Sequence, residues 1–201
     1  DVCSSDLRLS LVRVAQASRG ELLNLALNLA RYPLFAVAGR NAWLEEDAFL
    51  HLVRPFMEEG ERSPVLMGVE LPLQMAGEDR LPPRRITRYA LMESLRVQLG
   101  YMAGAPYLGG PVAAYGHLAV YRKADLLRCG GFRANLGYMQ AEADANLRVH
   151  RAMREEGRRY RFVFVPRVVA RRPFPDSWRE HVAEAQAKGR SADAALRSER
   201  G

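Results

Sequence analysis

Hydrophobic and polar residues follow one another along the chain in blocks that predict helices and strands in turn. Residues 9–31 place leucines and alanines on one wide face of a helix, and residues 34–38 form a short, continuously apolar strand. Helical spacing returns over residues 45–59, and residues 64–71 have the apolar run of a second strand. This alternation predicts an α/β domain in which helices pack on a sheet.

The second half of the chain continues the pattern after a polar, proline-containing linker at residues 78–83. The glycine- and proline-rich segment 100–116 is long for a connection, which is typical of functional loops. The remaining predicted elements are an amphipathic helix over 86–99, a strand at 118–121, a short helix at 124–129 closed by Gly130-Gly131, an amphipathic helix at 143–154, a buried strand at 162–165 and a helix after Trp178.

Composition limits the functional classes. With 201 residues, 48% of them apolar, the chain can bury one ordinary core. The net charge of +7 comes from arginines scattered among acids, which favours a solvated surface. An arginine cluster over residues 158–172 leaves anionic lipid, a nucleotide diphosphate or RNA open as partners. The longest uncharged stretch, between Arg96 and Arg122, holds too many glycines and prolines for a spanning helix, so the sequence predicts no transmembrane segment.

Two features of the sequence bear on the domain boundaries and on the cellular compartment of the protein. Residues 1–7 lack an initiating Met and the apolar core of a signal peptide, and they are typical of a non-native, adapter-derived sequence. We therefore predict a scar at 1–7, a partial domain at 8–190 and a frayed polar tail at 191–201. Cys3 and Cys129 have no disulfide or zinc spacing, which fits a reducing compartment.

Six short motifs occur along the chain, and their order and spacing together form a more specific pattern than any one of them. They are Leu-Asn-Leu-Ala-Leu at 23–27 after Arg19, the strand 32–38 running into Gly39-Arg40-Asn41, Gly-His-Leu-Ala-Val-Tyr-Arg at 116–122, Leu-Leu-Arg-Cys-Gly-Gly-Phe at 126–132, Ala-Glu-Ala-Asp at 141–144 followed by Leu-Arg-Val-His-Arg, and Val-Pro-Arg-Val-Val-Ala at 165–170 followed by Pro-Asp-Ser-Trp.

This pattern resembles family 2 glycosyltransferases, in particular the processive group that includes synthases of cellulose, hyaluronan and poly-N-acetylglucosamine. The resemblance implies a GT-A-like, Rossmann-like mixed sheet flanked by helices, with the first, uridine-binding strands expected upstream of Asp1. It implies transfer of a sugar from a UDP-sugar to a growing polysaccharide or glycan acceptor. It also implies a cytoplasmic location at the inner face of a bacterial inner membrane, with membrane association through segments outside this chain.

The chain departs from the family at the metal and donor motifs. Where the family has Asp-x-Asp, this sequence has Gly39 and Asn41, so Mg²⁺ or Mn²⁺, which the family would use, has no carboxylate there. Asn41 remains the candidate at the altered metal position, and Arg40 could supply the positive charge instead. The Gln-x-x-Arg-Trp motif is replaced by a segment that retains Gln186 and Lys188 as candidate diphosphate-binding residues.

The general-base motif is also altered. Glu142 takes the place of the family's catalytic Asp, with Asp144 as the adjacent alternative, and each is a candidate to deprotonate the acceptor hydroxyl. His117 and Trp43 are candidates to line the acceptor or sugar pocket, although packing in the core is the commoner role for such side chains.

Two functional hypotheses follow. The first is a sugar transferase that is impaired or inactive because all three motifs are altered. The second is a non-catalytic pseudo-glycosyltransferase that acts as a binding or assembly subunit. A nucleic-acid module is disfavoured, because no pattern of stacking aromatics accompanies the arginines.

Overall fold

The computed structural model describes residues 11–39, 41–58, 65–75, 80–104, 118–136 and 140–198. Helices and strands alternate through these ranges. In chain order they are α1 (Arg19–Leu29), β1 (Leu34–Ala38), β2 (Trp43–Leu44), α2 (Ala48–Glu58), β3 (Val65–Pro72), α3 (Arg85–Leu95), a π-helix (Arg96–Met102), β4 (Leu118–Arg122), α4 (Lys123–Arg128), α5 (Gln140–Glu155), β5 (Val163–Arg172) and α6 (Trp178–Ser198).

The strands form one mixed sheet in the order β1-β4-β3-β5-β2. β4 is antiparallel to both β1 and β3, β3 is parallel to β5, and β2 is antiparallel to β5. β1, β3 and β5 therefore run in the same direction, and their carboxyl ends meet at one edge of the sheet. The predicted α/β class with a mixed sheet is confirmed.

Helices cover both faces of this sheet. On β4, Ala119 and Tyr121 point into a core formed with α1, α4 and α5, while Leu118 and Val120 point into a second core under α2. A strand that is buried on both faces has apolar residues at consecutive positions, whereas a half-buried strand alternates apolar and polar residues. This explains the continuous apolar sequence at 118–121. Among the described helices, none combines the length and the apolar character needed to cross a membrane.

Several element boundaries differ from the sequence prediction, each for a local reason. α1 starts at Arg19 and not near residue 9, because Ser18 and Glu21 form a reciprocal capping box at its amino end. β5 continues to Arg172, well past residue 165, through arginines that obscure its apolar pattern. The last turn of the helix predicted over 86–99 adopts π geometry. π-helices are rare overall, and those that occur are often found at functional sites.

The turn after α4 matches the prediction and fixes the position of α1. Gly130 and Gly131 have positive φ angles of 80° and 69°, which glycine adopts without steric cost. The Asn24 side chain of α1 lies against this turn, where its amide donates to the Phe132 carbonyl and its oxygen accepts from the Phe132 amide, both at 2.7 Å. α1 is thereby hydrogen-bonded to the segment that leads towards α5.

Gly20 provides a test of this packing. A Cβ atom at Gly20 would lie 2.2 Å from the backbone oxygen of Arg133, so Gly20→Ala must push α1 away from that segment. We expect a loss of about 1–3 kcal/mol in the free energy of unfolding, measured by chemical denaturation. Gly189→Ala is the matched control, because the space around Gly189 in α6 is open and alanine favours a helix. Equal stability of the two variants would contradict the packing described.

Candidate functional site

The first part of the candidate site is the sheet edge at which the parallel strands end. β1 ends just before Gly39, whose carbonyl accepts a hydrogen bond from the Ala42 amide at 2.9 Å, so the chain turns tightly. Asn41 is exposed in this turn, and Trp43 of β2, which follows it, is 64% exposed. Arg40 lies outside the described residues. In open α/β sheets, ligands bind beyond the carboxyl ends of the parallel strands, so a substrate is expected here.

Two of the three carboxylates that follow this turn, Glu45 and Asp47, have partners. The Glu45 Oε1 atom accepts a hydrogen bond from Arg171 Nε at 2.6 Å, and Asp47 Oδ2 lies 2.8 Å from His51 Nε2. No group of three or more Asp, Glu, His or Cys residues that could hold a metal ion occurs in the described part of the chain. Divalent cations need several oxygen ligands, so the residues described at this edge do not fit a Mg²⁺ or Mn²⁺ site.

Glu142 lies in the first turn of α5 and pairs with the first residue of α1. Arg19 Nε and Nη2 both donate to Glu142 Oε1, at 2.8 and 2.5 Å. The other oxygen, Oε2, is buried and has no hydrogen-bond partner among the described residues. One carboxylate oxygen is therefore held in place, while the second is left to accept a proton or a hydrogen bond from a bound group.

Two further polar side chains are buried close to Glu142. The Tyr121 hydroxyl and the Asn146 amide make no hydrogen bond of normal geometry within the described residues. Burial, and next the Glu142 carboxylate, raise the pKa of Tyr121 far above its ordinary value, although Asn146 and Arg19 oppose the rise. Tyr121 therefore stays protonated near neutral pH and is available as a donor beside the carboxylate.

Asp144 has a different environment, although only two positions separate it from Glu142. Its side chain is fully buried, Oδ1 accepts from Arg133 at 3.0 Å, and Oδ2 accepts from Arg148 Nε at 2.8 Å. Arg148 also donates to the carbonyls of Cys129 and Gly131. Asp144 thus holds the turn after α4 against α5, and both of its oxygens are engaged.

A third cluster of charged and polar side chains links α6 to the carboxyl ends of β3 and β5. Arg172 lies 3.4 Å from Glu70 and 3.2 Å from Glu184, and its guanidinium stacks on the Phe174 ring at 4.3 Å. Gln98 of the π-helix accepts from the Glu70 amide at 2.8 Å and donates to the Glu70 carbonyl at 3.3 Å, as a neighbouring strand would. The two glutamates neutralise Arg172, so this group stabilises the sheet edge.

The other sequence candidates are placed only in part. Gln186 is exposed on α6, in the helix that also carries Glu184. The Lys188 side chain and the whole of His117 lie outside the described residues. Trp43 and Trp178 are both exposed, at 64% and 62%, and so neither packs in the core.

Sequence reasoning missed Tyr121 and Asn146. Asn146 follows Glu142 by four positions, so the two share one face of α5, and an amide on the face that packs on the sheet was the available signal. Tyr121 gave no signal, since an aromatic residue in an apolar strand is ordinary.

Comparison with known proteins gives a likeness in structure and none in sequence. No protein-family model matches the chain, and no curated protein matches its sequence. Among solved structures, a mannosyltransferase from Pyrobaculum calidifontis, PcManGT, determined with GDP-Man and Mn²⁺, is similar with a TM-score of 0.59 and 21% identity. The match covers 87% of this chain and 42% of that protein, so the chain spans less than half of its length. The mixed sheet and this likeness together show that the chain has a GT-A-like fold.

Proposed function

We propose that this chain is part of a glycosyltransferase that moves a sugar from a nucleoside-diphosphate sugar to a glycan acceptor. The observation that carries the proposal is the Glu142 carboxylate, which stands at the start of a helix packed on a GT-A-like sheet with one oxygen held by Arg19 and the other unpaired. A general base must be a correctly oriented carboxylate with an oxygen within reach of the acceptor hydroxyl.

In the proposed reaction, the hydroxyl of the bound acceptor reaches Glu142 Oε2, which is buried in this structure, and Oε2 takes its proton. The acceptor oxygen forms its bond to the anomeric carbon, and the nucleoside diphosphate leaves with the electron pair of the broken carbon–oxygen bond. Arg19 orients the carboxylate through its two hydrogen bonds, and the protonated Tyr121 hydroxyl beside it contributes a donor.

The diphosphate group must be bound as well. The resemblance leads us to expect Mg²⁺ or Mn²⁺, but Glu45 and Asp47 at the sheet edge are paired with Arg171 and His51, and we assign the metal no step. In this proposal the charge of the diphosphate is met by Arg40 and by polar side chains of the turn and of α6, namely Asn41, Gln186 and Lys188.

The finer parts of the proposal come from the sequence resemblance. They are a UDP-sugar as donor, a growing polysaccharide as acceptor, and a location at the cytoplasmic face of a bacterial inner membrane. A GDP-sugar is the competing donor, because the similar mannosyltransferase was solved with GDP-Man. Trp43, exposed beside the β1 turn, is the proposed sugar-stacking residue.

A second candidate is a non-catalytic subunit on the same fold. It is favoured by the replacement of both metal-site aspartates by Gly39 and Asn41 and by the pairing of Glu45 and Asp47 with other side chains. Such a subunit would bind a nucleotide sugar or a glycan, or assemble with an active transferase, without turnover.

Calorimetric titration with UDP-sugars and GDP-sugars, with and without Mn²⁺, tests the donor site. We expect saturable binding of one nucleotide class, and weaker binding in Asn41→Ala, with Arg151→Ala on α5 as the distant control. Binding combined with sugar transfer supports the enzyme, and binding without transfer supports the non-catalytic subunit. Absence of binding to either nucleotide class in both metal conditions would contradict the proposed donor site.

A further inference from the structure

α3 presents exposed arginines that no carboxylate pairs with among the described residues. Arg85 and Arg88 of α3, and Arg96 at the start of the π-helix, are exposed, and no carboxylate pairs with them among the described residues. Glu93, the acid of α3, lies 3.4 Å from His181 of α6 instead. Within the same ranges, their guanidinium groups make one hydrogen bond, from Arg88 Nε to the Pro82 carbonyl at 2.6 Å. These arginines therefore keep a net positive charge at the surface.

Two exposed arginines on other helices have carboxylate partners. Arg54 on α2 pairs with Glu58 at 2.6 Å, and Arg151 on α5 pairs with Glu155 at 2.7 Å, each with a glutamate four positions on. This is the usual arrangement on a solvated helix face. Within the described part of the chain, Arg85 and Arg88 have no such glutamate partner, and so their charge is available to a binding partner.

Large apolar side chains share the same surface. Tyr89 and Met92 of α3 are 49% and 71% exposed, and Trp178 and Val182 of α6 are 62% and 47% exposed. The Tyr89 and Trp178 rings lie side by side, with their centroids 5.4 Å apart. We call the surface formed by Arg85, Arg88, Tyr89, Met92, Trp178 and Val182 the α3 face.

A partner for the α3 face must offer negative charge and accept apolar side chains together. An anionic lipid surface does both: its phosphates pair with arginine, and Trp and Tyr settle at the headgroup level with apolar side chains below them. A nucleic acid would offer phosphate charge, but no apolar layer for Met92 and Val182. We propose that the α3 face docks this protein on an anionic bilayer, and this docking does not depend on sugar transfer.

Vesicle flotation tests the proposal directly. We expect the protein to float with vesicles of phosphatidylglycerol mixed with phosphatidylcholine and to stay behind with phosphatidylcholine alone. Arg85→Gln should weaken the binding about fivefold, because each basic residue near an anionic surface contributes about that factor. Met92→Ser should weaken it as well. Arg151→Gln removes one positive charge from α5 instead, and this variant should bind the vesicles as tightly as the unsubstituted protein.

Tryptophan fluorescence identifies the face that makes contact, since the chain has two tryptophans. In Trp43→Phe, the remaining Trp178 should shift to shorter wavelengths on anionic vesicles and be quenched by brominated lipid. In Trp178→Phe, the remaining Trp43 should do neither.

Four results would overturn the proposal. They are absence of flotation, equal weakening by Arg85→Gln and Arg151→Gln, tighter binding to RNA than to vesicles, and a concentration-dependent Trp178 shift without lipid, which would indicate contact between copies. None of these results depends on a sugar donor, so failure here and failure of the proposed transferase are separate outcomes.

Discussion

Replacing Asp144 with alanine is expected to lower the free energy of unfolding by about 3–5 kcal/mol, which is the usual cost of removing one partner from a buried ion pair. The carboxylate is fully buried between Arg133 and Arg148, and the Arg148 side chain is itself only 13% exposed. Without Asp144, the Arg148 guanidinium remains buried without its counter-charge. Urea denaturation followed by circular dichroism gives the measurement.

Two variants isolate the cause of that loss. Asp144→Asn keeps the shape and removes the charge, so it should cost nearly as much as Asp144→Ala. Arg151→Ala breaks an exposed pair on the same helix and should change stability by less than about 1 kcal/mol. A similar small effect for all three variants would show that Asp144 does not hold the turn after α4.

The variant Glu142→Gln is expected to reduce any sugar transfer by at least about 100-fold, the contribution that a positioned base makes. Glutamine keeps the size of the side chain and can still accept a hydrogen bond from Arg19, so folding should survive. It cannot accept the acceptor proton. Initial rates of transfer and the melting temperature, measured on the same preparation, separate loss of chemistry from loss of structure.

Arg19→Gln is the matched control for Glu142. It leaves the carboxylate but removes the group that orients it, so transfer should fall less than in Glu142→Gln. If Glu142→Gln and Arg19→Gln lower stability equally and leave transfer unchanged, Glu142 is a structural partner of Arg19 and not a base.

Much of the fold could be predicted because its signals are local. The Gly130-Gly131 turn shows in the sequence, because positive φ angles favour glycine wherever they occur. The strand over 118–121 shows as an apolar run, because both of its faces are buried. β2 could not be predicted, because two residues carry no period and pair only where β5 is brought beside them.

The candidate site, like the fold, could be predicted only in part. The motif order pointed to Glu142, with Asp144 as the adjacent alternative. The partners of the acidic residues could not be inferred from spacing: Arg19 is 123 positions from Glu142, and Arg171 is 126 positions from Glu45.

The sequence by itself determined the α/β class, the order of the elements other than β2, and the turn that closes α4, because helix periodicity and backbone conformation depend on neighbouring residues. Only the tertiary structure decided that Asp144 is engaged through both oxygens while, among the described residues, Glu142 keeps one unpaired and Arg85 and Arg88 of α3 lack the glutamate partners that Arg54 and Arg151 have. Charge pairing and burial depend on residues that folding brings together from distant parts of the chain.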